Sequence, residues 1–188
     1  MSSTRNSTAL AQATTLPIQS VRALSINGVL LFTAAILLPV AAHLTGLPVR
    51  VLLPMHWPVI FAGLVYGWRG GAIVGLAAPG LSFLISGMPL PAVLPAMTLE
   101  LTCYGALSGL LRQTARWSAP LATGAALVAG RLVFALAMAL TLAASTGGFA
   151  AYAGSALLPG LPAAVAQIAL LPLLARRWVR HEREAARG

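Results

Sequence analysis

The amino-acid sequence predicts an all-α integral membrane protein, a bundle of six transmembrane helices with both termini in the cytoplasm. Three observations predict this fold class: the composition, six separate apolar stretches, and an uneven distribution of arginine. Of the 188 residues, 59% are hydrophobic and 8% are charged, whereas a soluble domain has about 45–50% apolar and about 25% charged residues. A soluble fold of this size would leave about a third of its chain surface in water. Lipid must therefore be the solvent for most of the chain.

Six apolar stretches supply the predicted helices, since a spanning helix needs about 20 mostly apolar residues. The second and third stretches are short and are separated only by Trp68, Arg69 and Gly70, which predicts a tight helical hairpin. The segment before the first stretch, residues 1–20, is polar and predicts a disordered tail, and residues 176–188 predict a basic cytoplasmic tail. The membrane domain is thus expected over residues 21–175. The stretches cover residues 21–46, 51–67, 71–86, 91–111, 119–145 and 155–175.

Prolines and glycines interrupt these stretches. A proline in a membrane helix leaves a backbone carbonyl that neighbouring helices or a water-filled cavity must satisfy, so the prolines favour broken helix ends around a cavity; simple helix termination is the alternative. Glycines four residues apart favour close packing of helices in lipid, or docking of another membrane subunit. The prolines are Pro54, Pro58, Pro79, Pro95, Pro159, Pro162 and Pro172; the glycines are Gly63, Gly67, Gly71, Gly75, Gly105 and Gly109.

The arginines predict the orientation. If the amino terminus is cytoplasmic, Arg50 is the one arginine in an outer loop, and Arg131 lies within the fifth stretch. An excess of arginine in cytoplasmic segments is the usual orientation signal of membrane proteins, which places both termini inside. The arginines that fall in the inner segments are Arg5, Arg22, Arg69, Arg112, Arg116, Arg176, Arg177, Arg180, Arg183 and Arg187.

Missing residue types exclude several functions. The sequence contains no Lys and no Asp, so it has neither a P-loop lysine nor a Walker-B aspartate nor an Asp-containing catalytic triad. A single cysteine, Cys103, excludes an internal disulfide and a thiolate zinc cluster. We expect neither a cofactor nor a metal, no nucleic-acid binding, and no ATP hydrolysis by this chain itself.

Two charged residues that fall inside predicted membrane helices are the best indicators of a functional site, because an unpaired charge inside the bilayer is energetically unfavourable. Glu100 lies about nine residues from the outer end of the fourth helix, or about 14 Å deep. Arg131 lies about twelve residues from the inner end of the fifth, which leaves it about 12 Å below the outer surface. A Glu100–Arg131 pair is therefore predicted, either as a structural link between two helices or as the lining of a ligand pocket.

Four further residues complete the predicted substrate site. His56 lies between prolines near the outer end of the second helix, where it either sits at the membrane interface or contacts a ligand, and Trp57 follows it. Tyr104 lies one turn after Glu100 on the same helical face. Gln167, in the middle of the sixth helix, either bridges helices or binds a ligand. The sequence therefore predicts a mostly apolar cavity with a few polar groups, open to the outside.

The region from residue 53 to 111 resembles the substrate-binding (S) component of energy-coupling factor (ECF) transporters. The rest of the chain is similar only in its six-helix layout and orientation. The motifs that carry the resemblance are MH-x-PV from residue 55, Gly63 and Gly67-Trp-Arg followed by Gly71 and Gly75, GMP-x-P from residue 87, and E-(x)3-YG-(x)2-SG from residue 100.

The resemblance implies a multi-pass, non-enzymatic subunit of the bacterial cytoplasmic (inner) membrane. S components bind a vitamin or vitamin precursor from outside beneath their outer loops, here residues 86–91 and 145–154. They work with a membrane coupling subunit and two cytoplasmic ATPases. The family often docks its coupling subunit through an Ala-(x)3-Ala pattern, which the first helix here does not strictly match. Glu100 and Arg131 would orient a polar or zwitterionic vitamin-like ligand, and His56 and Trp57 would contact its ring.

Two other functions stay open at this point. An independent proton-coupled carrier would use Glu100 as its titrating carboxylate. An intramembrane hydrolase would need a serine or thiol beside a histidine; Ser82 and Ser86 are present in the third helix, but the sequence has no Gly-x-Ser-Gly motif.

Overall fold

A computed structural model of the chain describes residues 15–18, 20–46, 48–142 and 158–185. Its regular elements in these ranges are all helices, which confirms the predicted all-α class. The first helix consists of α1, a π-helical segment and α2 in succession. The elements are α1 (Val21–Phe32), the π-helical segment (Thr33–Leu37), α2 (Leu38–Leu44), α3 (Val49–Leu52), α4 (His56–Ser86), α5 (Leu94–Gln113), α6 (Ala119–Leu142), a 3₁₀ turn (Leu158–Gly160) and α7 (Leu161–Ala185).

Four helical segments are long and apolar enough to cross a membrane: Val21–Ala42, His56–Ser86, Ala119–Thr141 and Leu158–Ala185. Helix α5 is not among them. Large apolar side chains are exposed along these segments, for example Leu84 at 79% and Leu140 at 70%. A water-soluble protein rarely leaves so much apolar surface uncovered, so these faces fit contact with lipid.

Helix α4 reverses direction at Gly67. This glycine has φ 76° and ψ −173°, a conformation that is essentially restricted to glycine. A Cβ added at Gly63 or at Gly71 would collide with the same atom, the carbonyl oxygen of Gly105, although residues eight apart in a straight helix are separated by about 12 Å. The two arms of α4 therefore lie side by side, which confirms the predicted hairpin.

The glycines of α4 and α5 bring the two helices into backbone contact. A Cβ on Gly75 would meet the carbonyl of Leu101, and one on Gly109 would meet the backbone of Gly67 and Trp68. Beyond the reversal, the Trp68 N–H donates a hydrogen bond to Oε1 of Gln113 at 3.1 Å. Close packing, the first of the two roles predicted for these glycines, is confirmed.

A π-helical segment widens the first helix at Thr33–Leu37. The N–H of Leu38 donates to the carbonyl of Thr33, five residues earlier. Pro39 explains this widening, because it has no N–H for the carbonyl of Ala35 and its ring crowds that carbonyl. Short π-helical segments are frequent at functional sites.

The small residues of the first helix face the interior of the fold. Ala23, Asn27, Ala34 and Ala35 are at most 5% exposed, so this side of the first helix packs against the rest of the chain.

The two ends of the described chain meet near the base of α1. The Leu16 N–H donates to the carbonyl of Val65 at 2.7 Å, and Nη2 of Arg22 lies 2.7 Å from Oε1 of Glu182. Helix α7 continues through much of the predicted basic tail to Ala185. Residues 1–14 of the predicted amino-terminal tail, the end of the basic tail at 186–188 and the outer loop 145–154 lie outside the described residues.

Candidate functional site

Glu100 is the centre of a buried polar cluster. Its side chain is 2% exposed, and Oε1 lies 2.9 Å from Nη1 of Arg131 in α6. The same oxygen accepts a hydrogen bond from the Tyr104 hydroxyl at 2.6 Å. The ion pair predicted from membrane depth is therefore present, and the side chain predicted one turn away joins it.

Glycines make room for the two partners of Glu100. A Cβ on Gly130 would collide with the ring of Tyr104, and one on Gly160 would collide with the guanidinium of Arg131. Arg131 thus lies against the 3₁₀ turn that precedes α7. The cluster therefore links α5 to α6 and lies against the 3₁₀ turn.

The entry to α4 positions His56 beside this cluster. Leu53 ends α3 in a left-handed conformation, φ 48° and ψ 57°, and Pro54 follows, which disfavours the helical conformation for Leu53. The His56 N–H then donates to the carbonyl of Leu53 at 3.0 Å. Pro58 is tolerated in the first turn because N–H groups there have no helical partner.

The His56 side chain is buried but has no hydrogen-bond partner among the described residues. It is 2% exposed, and neither ring nitrogen bonds to a described group. Nε2 lies 3.9 Å from Oε1 of Glu100, which is too long for a hydrogen bond. The ring also lies 5.2 Å from the ring of Tyr104, measured between centroids. An unpaired polar group in such a place costs about 1–3 kcal/mol, so the imidazole is available for a further partner.

His56 forms part of the wall of a cavity of about 490 Å³ between the first helix, α3, the start of α4 and the end of its second arm. This volume is within the range of about 300–1,000 Å³ that is usual for small-molecule sites. The other described residues that line the cavity are Ala35, Ile36, Pro39, Val40, Leu44, Val49, Leu53, Pro54, Met55, Ser82, Ile85, Ser86, Met88, Pro89 and Met97.

Of the six residues predicted to bind substrate, His56 alone is among the described residues that line this cavity. Tyr104 and Arg131 instead bind Glu100, beside His56. The indole Nε1–H of Trp57 donates to the carbonyl of Leu52 at 2.9 Å, which ties the start of α4 to α3. Gln167 is fully buried in α7, and neither of its amide atoms has a hydrogen-bond partner in the described part of the chain.

Most of the cavity wall was not predicted. Its apolar residues, such as Ile36 and Val40, carry no chemical signal that separates them from other membrane-helix residues. The sequence does carry one signal for this wall, which our prediction did not use. Pro39 lies in the interior of the first stretch, where a proline distorts a helix. That proline accompanies the widened turn whose residues Ala35 and Ile36 line the cavity.

The arrangement is suited to binding. No fixed charge occurs among the described residues of the cavity wall. In the described part of the chain no three His, Cys, Asp or Glu side chains are grouped to hold a metal ion. A mostly apolar wall with one buried, unpartnered imidazole is a site that selects a ligand by shape and by one polar contact.

Comparison with known proteins identifies the family. The family described as "ECF transporter, substrate-specific component" matches residues 24–175, well over half of the chain. No curated protein and no solved structure matches the chain. The matched residues include α4, α5 and α6, and therefore both the buried cluster and the cavity. The chain belongs to the substrate-specific components of ECF transporters.

Proposed function

We propose that this protein is the high-affinity binding subunit for uptake of a vitamin or vitamin precursor, and that it binds this molecule in the cavity lined by His56. One observation carries the proposal: a buried imidazole, without a hydrogen-bond partner in the described ranges, forms part of the wall of a cavity of suitable size. Membership of the family supports a binding role rather than an enzymatic one.

The proposal assigns different roles to the predicted site residues. His56 contacts the ligand. Glu100, Tyr104 and Arg131 position His56, because they form a neutral, hydrogen-bonded cluster that packs against one side of its ring. Trp57 supports the same segment through its bond to α3. A ligand contact for Gln167 stays a prediction.

The binding site can be tested by blocking the cavity. Val40 lines it, whereas Val29 is on the same first helix and is 63% exposed away from the cavity. We expect native mass spectrometry of the purified protein to detect a co-purifying small molecule in the wild type and in Val29→Trp, but not in Val40→Trp. A molecule retained by folded Val40→Trp would contradict this location.

We further propose that the subunit lies in the bacterial inner membrane as six helices with both termini in the cytoplasm, and that a coupling subunit and two ATPases energise it. The absence of Lys and Asp from the sequence supports a division of labour with separate ATPases. Uptake should then stop on ATP depletion, including when a proton gradient is maintained. Uptake that stops only with an uncoupler would instead support a proton-coupled carrier that uses Glu100.

A further inference from the structure

We infer that the ligand of this cavity is an uncharged molecule with a mostly apolar body and one hydrogen-bonding head group, such as a primary amide, that pairs with the His56 imidazole. This inference rests on the proposed function, since it names the ligand class of the same cavity.

The mostly apolar wall of the cavity favours a ligand whose main part is apolar. Three of the sixteen described lining residues are polar, namely His56, Ser82 and Ser86. The Ser86 hydroxyl is already engaged, because it donates to the carbonyl of Ser82 at 2.8 Å and accepts from the Met88 N–H at 3.3 Å. A ligand therefore meets mainly aliphatic and thioether side chains, and apolar surface is what such a wall binds best.

The described charges near the cavity disfavour an ionised head group. The nearest described carboxylate, Glu100, lies behind His56 and is already paired with Arg131. An ammonium group would have to compete with Arg131 for Glu100. A carboxylate at His56 would be repelled by the like charge of Glu100. Arg131 could not offset this repulsion, because it is already paired with Glu100. Moving an ion from water to such a wall is costly unless it gains a partner of its own.

The imidazole of His56 suits a neutral head group. Neutral imidazole has one donor nitrogen and one acceptor nitrogen, and neither has a partner here. A primary amide offers both a donor and an acceptor. Pairing with such a group would remove the cost of burying the imidazole without adding a charge to the site.

Three probes with the same apolar body test this inference: 2-naphthamide, 2-naphthoate and 2-naphthylmethylammonium. Their dissociation constants can be measured at pH 7 with the full chain in lipid nanodiscs, and empty nanodiscs correct for partition into lipid. We expect the amide to bind at least tenfold more tightly than either ion. His56→Phe should reduce amide binding by at least tenfold. His56→Gln, which keeps a donor and an acceptor, should retain the preference for the amide.

A matched control tests whether the loss of any buried polar group would have the same effect. Thr123→Val removes a buried hydroxyl of α6 that donates only to the carbonyl of Ala119 and is not among the described residues of the cavity wall, so the preference for the amide should persist. Equal or tighter binding of either ion, no binding of the amide, or an unchanged preference in folded His56→Phe would each overturn the inferred ligand class. The proposed site has a separate test: probe binding that persists in Val40→Trp would reject the cavity itself.

Discussion

Nη1 of Arg131 in α6 lies 2.9 Å from Oε1 of Glu100 in α5, and the Tyr104 hydroxyl donates to the same oxygen at 2.6 Å. A single carboxylate oxygen therefore joins two helices at a depth where neither charge could remain alone. The side chain of Arg131 keeps 23% exposure, whereas that of Glu100 keeps 2%. The carboxylate consequently depends on its partner more than the guanidinium does.

Glu100→Gln should destabilise the fold by about 3 kcal/mol, the lower end of the range for breaking a buried ion pair. The low end applies because the glutamine amide keeps an oxygen that can still accept hydrogen bonds from Arg131 and Tyr104. Thermal unfolding in detergent measures the effect. Arg22→Gln is the control: it breaks an ion pair whose arginine is 63% exposed, and such pairs contribute about 0–1 kcal/mol.

Adding Arg131→Met to Glu100→Gln should restore part of the lost stability, because the double variant no longer contains an uncompensated charge. The same unfolding measurement compares the double variant with both single variants. Strictly additive losses would show that the two side chains do not act as a pair.

Gly105→Ala should prevent close approach of α5 and the second arm of α4, because the new Cβ would collide with the backbone of Gly71. Neither backbone can move aside without separating the helices, so we expect a loss of about 1–3 kcal/mol or more. Gly80→Ala, in the second arm of α4, meets no atom within 4 Å and should be neutral or stabilising by about 1 kcal/mol. Similar losses of stability in the two variants would contradict the backbone packing described for Gly105.

Tyr104→Phe should lower stability by about 1.5–3 kcal/mol, since it removes a hydrogen bond to a charged group. The ring itself still fits against Gly130, so the loss should come from the hydroxyl alone. Chemical unfolding followed by tryptophan fluorescence can measure it. In the Glu100→Gln background the effect of Tyr104→Phe should be smaller, because the acceptor is no longer charged; an undiminished effect there would argue against the bond to Glu100.

Pro39→Ala should reduce retention of the ligand without reducing stability. The new N–H can bond to the carbonyl of Ala35, which lets the π-helical segment become α-helical and shifts Ile36 in the cavity wall. Pro172→Ala also removes a proline from inside a helix, but Pro172 does not line the cavity. Native mass spectrometry should therefore show ligand loss in Pro39→Ala only, and equal retention by both variants would contradict this role for the widened turn.

Parts of the fold that follow from spacing along the chain could be predicted from the sequence. Counting residues from the ends of the predicted helices placed Glu100 and Arg131 at similar depths in the membrane, because the rise per residue in a helix is constant. The short separation of two apolar stretches predicted a hairpin with its turn at Trp68, Arg69 and Gly70, and the structure places the reversal at the adjacent Gly67. A hydroxyl one helical turn from Glu100 had to fall on the same face.

The cavity could not be predicted in the same way. Its wall depends on how the first helix, α3 and the hairpin come together, and apolar residues at lipid-facing and cavity-facing positions look alike in a sequence. The position of His56 in front of Glu100 depends on the left-handed conformation of Leu53, which is uncommon for a residue other than glycine. Gln167 was grouped with the other polar residues on chemistry alone, and no described hydrogen bond joins it to them.

The carbonyl of Gly105 faces both arms of the α4 hairpin. The two arms and α5 are in backbone contact at these glycines, so sliding of one helix along another would bring glycine backbones into collision. We therefore expect any movement that admits a ligand to occur in the opposite wall, where the widened first helix and the four-residue α3 adjoin the same space. On this expectation the glycine-packed helices would stay in place while the first helix and α3 move.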